Sequence, residues 1–328
     1  MFLSPLWKQK IIQSDTIGRI LLISTLAFSL PAAASGHGKT SEDSNTELRL
    51  PESFGEVVYQ EHGNRDRKIF IIAQSHRSAV SGEENEDCQK VQAEIYRIGE
   101  WLIANERVEA LLPEGYFSNR MSGADPTPIP RTGKTTKPTR LDDAALAARL
   151  SNPTFLVNAD RLLYTTYDLA LRQIEDRQLY FSVVNQLRSV LSDSLQQKND
   201  PTALSILTYR QKKRSAVILE NIPQALTGGK SKGDTNIRRA MLTIGLSHVD
   251  TMIDFLKSGT AQILPPSGTE DILTGFCCDL SHLKERYAIA VIIPRTLADS
   301  GIMLRLSRLA CTNAEGTDGN PAPPEPDK

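Results

Sequence analysis

Apolar positions along the chain follow two rhythms that take turns. GEVVYQ (Gly55–Gln60) and KIFIIA (Lys68–Ala73) read as a pair of strands around the polar turn HGNRDR. Val91, Ile95, Ile98 and Leu102 then recur at helical spacing, and VEALLPEG returns to strand character. A long helical stretch runs from about Asp160 to Gln196 with a break near Glu175, and a second covers about Ala203 to Leu226. AMLTIGL (Ala240–Leu246) is a strand, Val249, Met252, Ile253 and Leu256 are helical, and AQIL and YAIAVII complete the strand set. Strands separated by helices predict an α/β architecture with a largely parallel central sheet flanked by helices, and the chain shows no internal repeat.

The flanks do not share these rhythms. Residues 1–34 combine an early basic start, Lys8, Lys10 and Arg19, with an almost wholly apolar stretch from Ile20 to Leu30 and the small residues Ala32-Ala33-Ala34. This is the pattern of a secretory signal peptide cleaved near Ala34, so the protein is expected to be exported, periplasmic or secreted, with no membrane span after cleavage. An uncleaved N-terminal anchor is the alternative, since the stretch before Arg19 is long. Residues 35–50 form a polar lead-in, 51–311 a single folded unit, and 312–328 a tail with too little apolar content to fold. Within the folded unit, 118–140 carries four prolines and no periodicity and reads as a long loop placed to cover a site.

Composition narrows the function classes. Of 328 residues, 40% are hydrophobic, enough to bury a substantial core. A formal net charge of -1 leaves no electrostatic footprint for nucleic acid; the longest basic run, RQKKR (Arg210–Arg214), reads as the solvated face of a helix. In an oxidising compartment the four cysteines, Cys88, Cys277, Cys278 and Cys311, favour disulfides over metal thiolates. Cys277 and Cys278 would each join Cys88 or Cys311, and both arrangements stay open.

Candidate chemistry sits at strand ends. FIIAQSH ends in His76, ALLPE in Glu114 and TIGLSH in His248. Ligands of parallel α/β sheets bind just beyond the carboxyl ends of the strands, so if these three run parallel, two imidazoles and a carboxylate meet on one rim. Two histidines and a carboxylate suit a divalent transition metal such as manganese, cobalt, zinc or iron. Such an ion acidifies water and polarises a carbonyl, the chemistry of hydrolysis. Each residue also has a structural reading: a strand-end histidine can be a loop or capping group, and Glu114 before Gly115 can accept backbone amides at a turn.

These same residues carry a resemblance. Ala73-Gln74-Ser75-His76, Glu114-Gly115 and Gly245-Leu246-Ser247-His248 resemble the pattern of the haem-binding-uptake/Tiki superfamily, which has a ChaN-like fold and includes TraB-like and erythromycin-esterase-like proteins. An arginine-bearing helix before the late strand, with Arg210 the candidate, and an Ile174-Glu175-Asp176 element match as well. The resemblance implies a ChaN-like or Tiki-like fold over roughly residues 56–295. It implies a metal held by His76, Glu114 and His248, with Glu114 and Arg210 in catalysis on a small-molecule or peptide substrate. It also implies an alternative, a non-enzymatic protein that binds haem or iron, for which Tyr116 is the candidate ligand. TGGKS and TGKTT lack the upstream glycine and preceding strand of a phosphate-binding loop. Gly245-Leu246-Ser247 lacks the closing glycine of a nucleophile elbow, where Val249 stands instead.

Overall fold

The longest apolar runs become the middle of a sheet. The computed structural model describes residues 48–75, 86–117, 140–151, 158–195, 200–227 and 236–300. The expected signal peptide, nearly all of the lead-in and of the 118–140 loop, the tail, His76 and Cys311 lie outside the described residues.

In chain order the elements are β1 (Gly55–Glu61), β2 (Lys68–Gln74), α1 (Glu86–Glu106), β3 (Ala110–Pro113), α2 (Asp143–Leu150), α3 (Ala159–Thr166), β4 (Ala170–Leu171) and α4 (Arg177–Leu195). They continue with α5 (Pro201–Leu226), β5 (Arg239–Gly245), α6 (Leu246–Ser258), β6 (Thr260–Ile263), β7 (Phe276–Asp279), α7 (Ser281–Arg286), β8 (Ala288–Pro294) and α8 (Arg295–Asp299). Six strands form one sheet in the order β1-β8-β2-β5-β3-β4. Every pairing in it is parallel except β1 with β8. The protein is therefore α/β, with a mixed and mostly parallel sheet.

The expected pairing of β1 with β2 is not made, because β8 lies between them. β2 and β8 are apolar along their length and need neighbours on both edges, whereas β1 is only partly buried and takes the edge. The turn between β1 and β2 passes over the start of β8, where Ala288 N–H donates to the carbonyls of Asn64 (3.2 Å) and Arg67 (2.9 Å). A Cβ on Gly63 would lie 2.1 Å from the Tyr287 carbonyl oxygen, so only glycine fits that crossing. The AQIL strand likewise leaves the central sheet and pairs antiparallel with β7 in a separate two-stranded sheet. The helical stretch expected from Asp160 opens between α3 and α4 to admit β4, a two-residue strand on the sheet edge.

The connections distribute the helices. β2 reaches β3 through α1 by moving one way across the sheet, and β5 reaches β8 through α6 by moving the other way. Right-handed crossovers then put α1 and α6 on opposite faces. Accordingly α1 packs on β2 and β8 and carries α2, α3 and α8, while α6 packs on β5 and β2 with α5 behind it. β5 thus stands between β2 and β3, whose outgoing chains leave to the opposite face from its own. This is a topological switch point, and the crevice at its carboxyl edge is where such sheets bind ligands.

In β7, alternation turns Cys277 outward and Cys278 inward. Burial first, and then the charge of Glu220, pushes the Cys278 thiol up to about 11. Cys88 is buried in α1 near the Ser75 carbonyl, at 3.7 Å, and among the described residues no disulfide joins these three cysteines. Among the described residues no helix is long and apolar enough to cross a membrane.

Candidate functional site

The registers align the strand ends. Gln74, the last residue of β2, pairs with Gly245, the last of β5, and Pro113, the last of β3, pairs with Thr243. Pro113 has no N–H to continue a ladder, and Gly115 follows in the left-handed region at φ 71°, so the chain turns sharply at Glu114. The Glu114 N–H still donates to the Thr243 carbonyl (3.0 Å), which anchors the residue against β5. Its side chain lies over the switch point, half held by each neighbour. Oε2 accepts the Gly245 N–H at 2.6 Å, where α6 begins without a side-chain cap and the helix presents its positive end.

His248 is the third residue of α6, where one turn of helix brings it back over the end of β5; it is 4% exposed. Its Nε2 lies 3.8 Å from Glu114 Oε1. Ser215 of α5 meets its Nδ1 at 2.8 Å and Arg214 Nη1 meets its Nε2 at 3.3 Å. A guanidinium can only donate, so Nε2 must be the acceptor and the proton of the neutral ring sits on Nδ1. Ser215 Oγ accepts that proton and donates its own to the Gln211 carbonyl (3.1 Å). The network therefore selects one tautomer, with the Nε2 lone pair turned into the site.

Arg214 is the hub. Its Nη2 donates to Glu114 Oε1 at 2.7 Å and also to Glu175 Oε1, while its Nε donates to Glu175 Oε2 at 3.0 Å. Burial opposes the charge on Arg214, but Glu114 and Glu175 more than offset this and hold its pKa above the ordinary arginine value. The Tyr180 ring of α4 stacks on the guanidinium at 4.8 Å, and Phe117 packs edge-on against Tyr180 at 5.3 Å. Glu175 lies beyond β4, its segment pinned by Asn221 Nδ2 on the Ile174 carbonyl (2.9 Å). The Gly115 N–H donates to Glu175 Oε1 at 3.3 Å, tying this segment back to the β3 turn.

Of the residues expected from sequence, the structure brings Glu114 and His248 together. His76 falls outside the described residues, and the chain leaves β2 at Ser75 on this same rim. Arg210 is not part of the cluster: its guanidinium points at α4, to the Ser182 carbonyl (3.4 Å) and Gln186 Oε1 (3.2 Å). Tyr116 is half-buried, its N–H donating to the Pro113 carbonyl at 3.3 Å. The arginine that reaches the site is Arg214, one turn further along α5, which corrects the reading of RQKKR as a uniformly solvated face. The signal that could have found it is periodicity. Leu207, Arg214, Ile218, Ile222 and Leu226 are all buried at helical spacings, so Arg214 occupies a core position on an apolar stripe. Ser215 and Tyr180 were not expected, and no motif marks either.

Among the described residues no group of three or more His, Cys, Asp or Glu is placed to hold a metal ion. The pair that is present does fit one. Glu114 Oε1 and His248 Nε2 are closer than the roughly 4.2 Å that two ligand bonds of about 2.1 Å can span. Ser215 on the far ring nitrogen orients the imidazole as the partner of a ligating histidine does. Compared with protein-family models, with curated proteins and with solved structures, the chain matches none.

Proposed function

We propose that this protein is an exported hydrolase with a ChaN-like or Tiki-like fold, dependent on a divalent transition metal and acting on peptide, ester or amide bonds. The observation that carries the reading is the meeting of Glu114 Oε1 and His248 Nε2 at the switch point of the sheet, 3.8 Å apart. His248 Nε2 and Glu114 Oε1 would hold the metal, and His76, next in sequence after Ser75, is the third donor the reading assigns. A metal held there supplies Lewis acidity, which lowers the cost of deprotonating water and polarises a carbonyl.

The protein's own groups divide the remaining work. Ser215 fixes the tautomer of His248. The Gly245 N–H holds Oε2 of Glu114, which leaves Oε1 as the oxygen nearest His248 Nε2, the ligand oxygen of this reading. Without metal, Arg214 Nη2 donates to that oxygen and holds the carboxylate in place. Tyr180 and Phe117 wall the guanidinium on one side, which limits water around the carboxylates.

A panel of chromogenic esters, anilides and short peptides, assayed with the metal-loaded protein and again after chelation, tests the reading. Hydrolysis abolished by the chelator, and lowered about 100-fold or more in Glu114→Gln, is the expected result. Hydrolysis that survives chelation, or none across the panel, contradicts it.

A further inference from the structure

Two of the donor atoms assigned to the metal are in contact with one guanidinium. Arg214 Nη2 lies 2.7 Å from Glu114 Oε1 and Nη1 lies 3.3 Å from His248 Nε2. An imidazole nitrogen has one lone pair, so Nε2 cannot accept the arginine hydrogen and bind a metal at once. Glu175, meanwhile, is a buried carboxylate that the metal reading leaves without a task. It takes Arg214 at two points, Nε on Oε2 and Nη2 on Oε1, and this fork can keep the charge paired if the other two contacts are broken.

We propose that Arg214 is a resident stand-in for the divalent cation and that Glu175 is the berth to which its guanidinium withdraws when a metal takes Glu114 and His248. The inference rests on the metal reading above and gives Arg214 and Glu175 positioning roles within it. Without metal, the guanidinium keeps two buried carboxylates and an imidazole assembled, where an uncompensated pair of carboxylates would repel. With metal, Arg214 rests on Glu175 alone, whose segment is held in place by Asn221 and by Gln173 Nε2 on the Glu175 carbonyl (3.0 Å). Because only the withdrawn state binds, the apparent affinity is the intrinsic affinity multiplied by the fraction of time Arg214 is withdrawn. If that fraction is about one tenth, the apparent dissociation constant is raised about ten-fold.

The test is a manganese(II) titration of the full chain, following the EPR signal of the unbound ion; manganese is chosen because thiols such as the exposed Cys277 bind it poorly. Wild type is compared with Glu175→Gln and with the double variant Arg214→Met/Glu175→Gln, which has the same net charge as wild type. Loss of the berth alone should weaken binding, since the guanidinium then stays on Glu114 and His248. Loss of berth and guanidinium together should tighten it about ten-fold relative to wild type, with a larger rise in Tm on adding manganese. A double variant that binds no tighter than wild type overturns the inference and leaves the metal reading standing. If the double variant does not fold, wild-type affinity in Glu175→Gln overturns it alone. Absence of binding in all folded variants, wild type included, overturns both.

Discussion

Among the described residues two arginines are buried, each between two carboxylates, and only one of these clusters has the makings of a site. On α1, Arg97 donates to Glu100 and to Asp143, both at 2.5 Å, and Arg140 approaches Glu100 at 3.4 Å. Two guanidiniums face two carboxylates there, the Tyr167 hydroxyl supplies a further donor to Glu100 at 2.7 Å, and the Asp143 side chain is 94% exposed. The charge is balanced and one end is in water. At the rim, Arg214 joins Glu114 and Glu175, both side chains 7% exposed or less, and the Nε2 of His248 faces the guanidinium. Buried charge is expensive, and a fully buried cluster that also carries an oriented imidazole is the more informative of the two about function. An arginine between two acids is thus uninformative until the charges around it are counted.

Substitutions can pull the two clusters apart. The largest effect belongs to Arg214→Met, which strands two buried carboxylates and should lower the unfolding free energy by about 3–5 kcal/mol in urea denaturation. Arg97→Met should cost less, about 1–3 kcal/mol, because Arg140 and Tyr167 remain on Glu100 and Asp143 is solvated. Equal losses would erase the distinction. Both arginines have pKa values raised by their carboxylates against the opposing effect of burial. The stability each provides is fully present below the ordinary arginine pKa and is lost only as pH rises through the higher folded value. The comparison therefore holds in any neutral buffer, and stability should show no arginine-linked slope there.

Ser215→Ala should cost only about 1 kcal/mol in stability yet weaken manganese binding by about ten-fold or more, because the imidazole loses the group that fixes its tautomer. The smallest effect is expected from Arg140→Ala, whose side chain is 72% exposed: within about 0.5 kcal/mol in the same denaturation assay. A larger loss would mean that the balance of the α1 cluster depends on its exposed member.

How far the sequence foretold this follows from what each signal measures. Apolar runs report burial, so β2, β5 and β8 were legible as strands, and the ends of β3 and β5 pointed to Glu114 and His248. Runs say nothing about partners, which is why β1 and β2 read as neighbours although β8, distant in sequence, comes between them. β4 has two residues and no run to announce it, yet it carries the chain to Glu175. Arg214 was hidden because composition groups it with Arg210, Lys212 and Lys213. Its register on the α5 stripe, not its charge, sets it apart.

The central claim is that the rim formed by Glu114 and His248 binds a divalent metal. Elemental mass spectrometry on the protein purified without a histidine tag, beside its His248→Ala variant, measures this most directly. The account predicts close to one equivalent of manganese, cobalt, zinc or iron in the wild type and its loss in a variant that remains folded. A folded wild type that holds no metal after reconstitution, or an equivalent that His248→Ala retains, would contradict it.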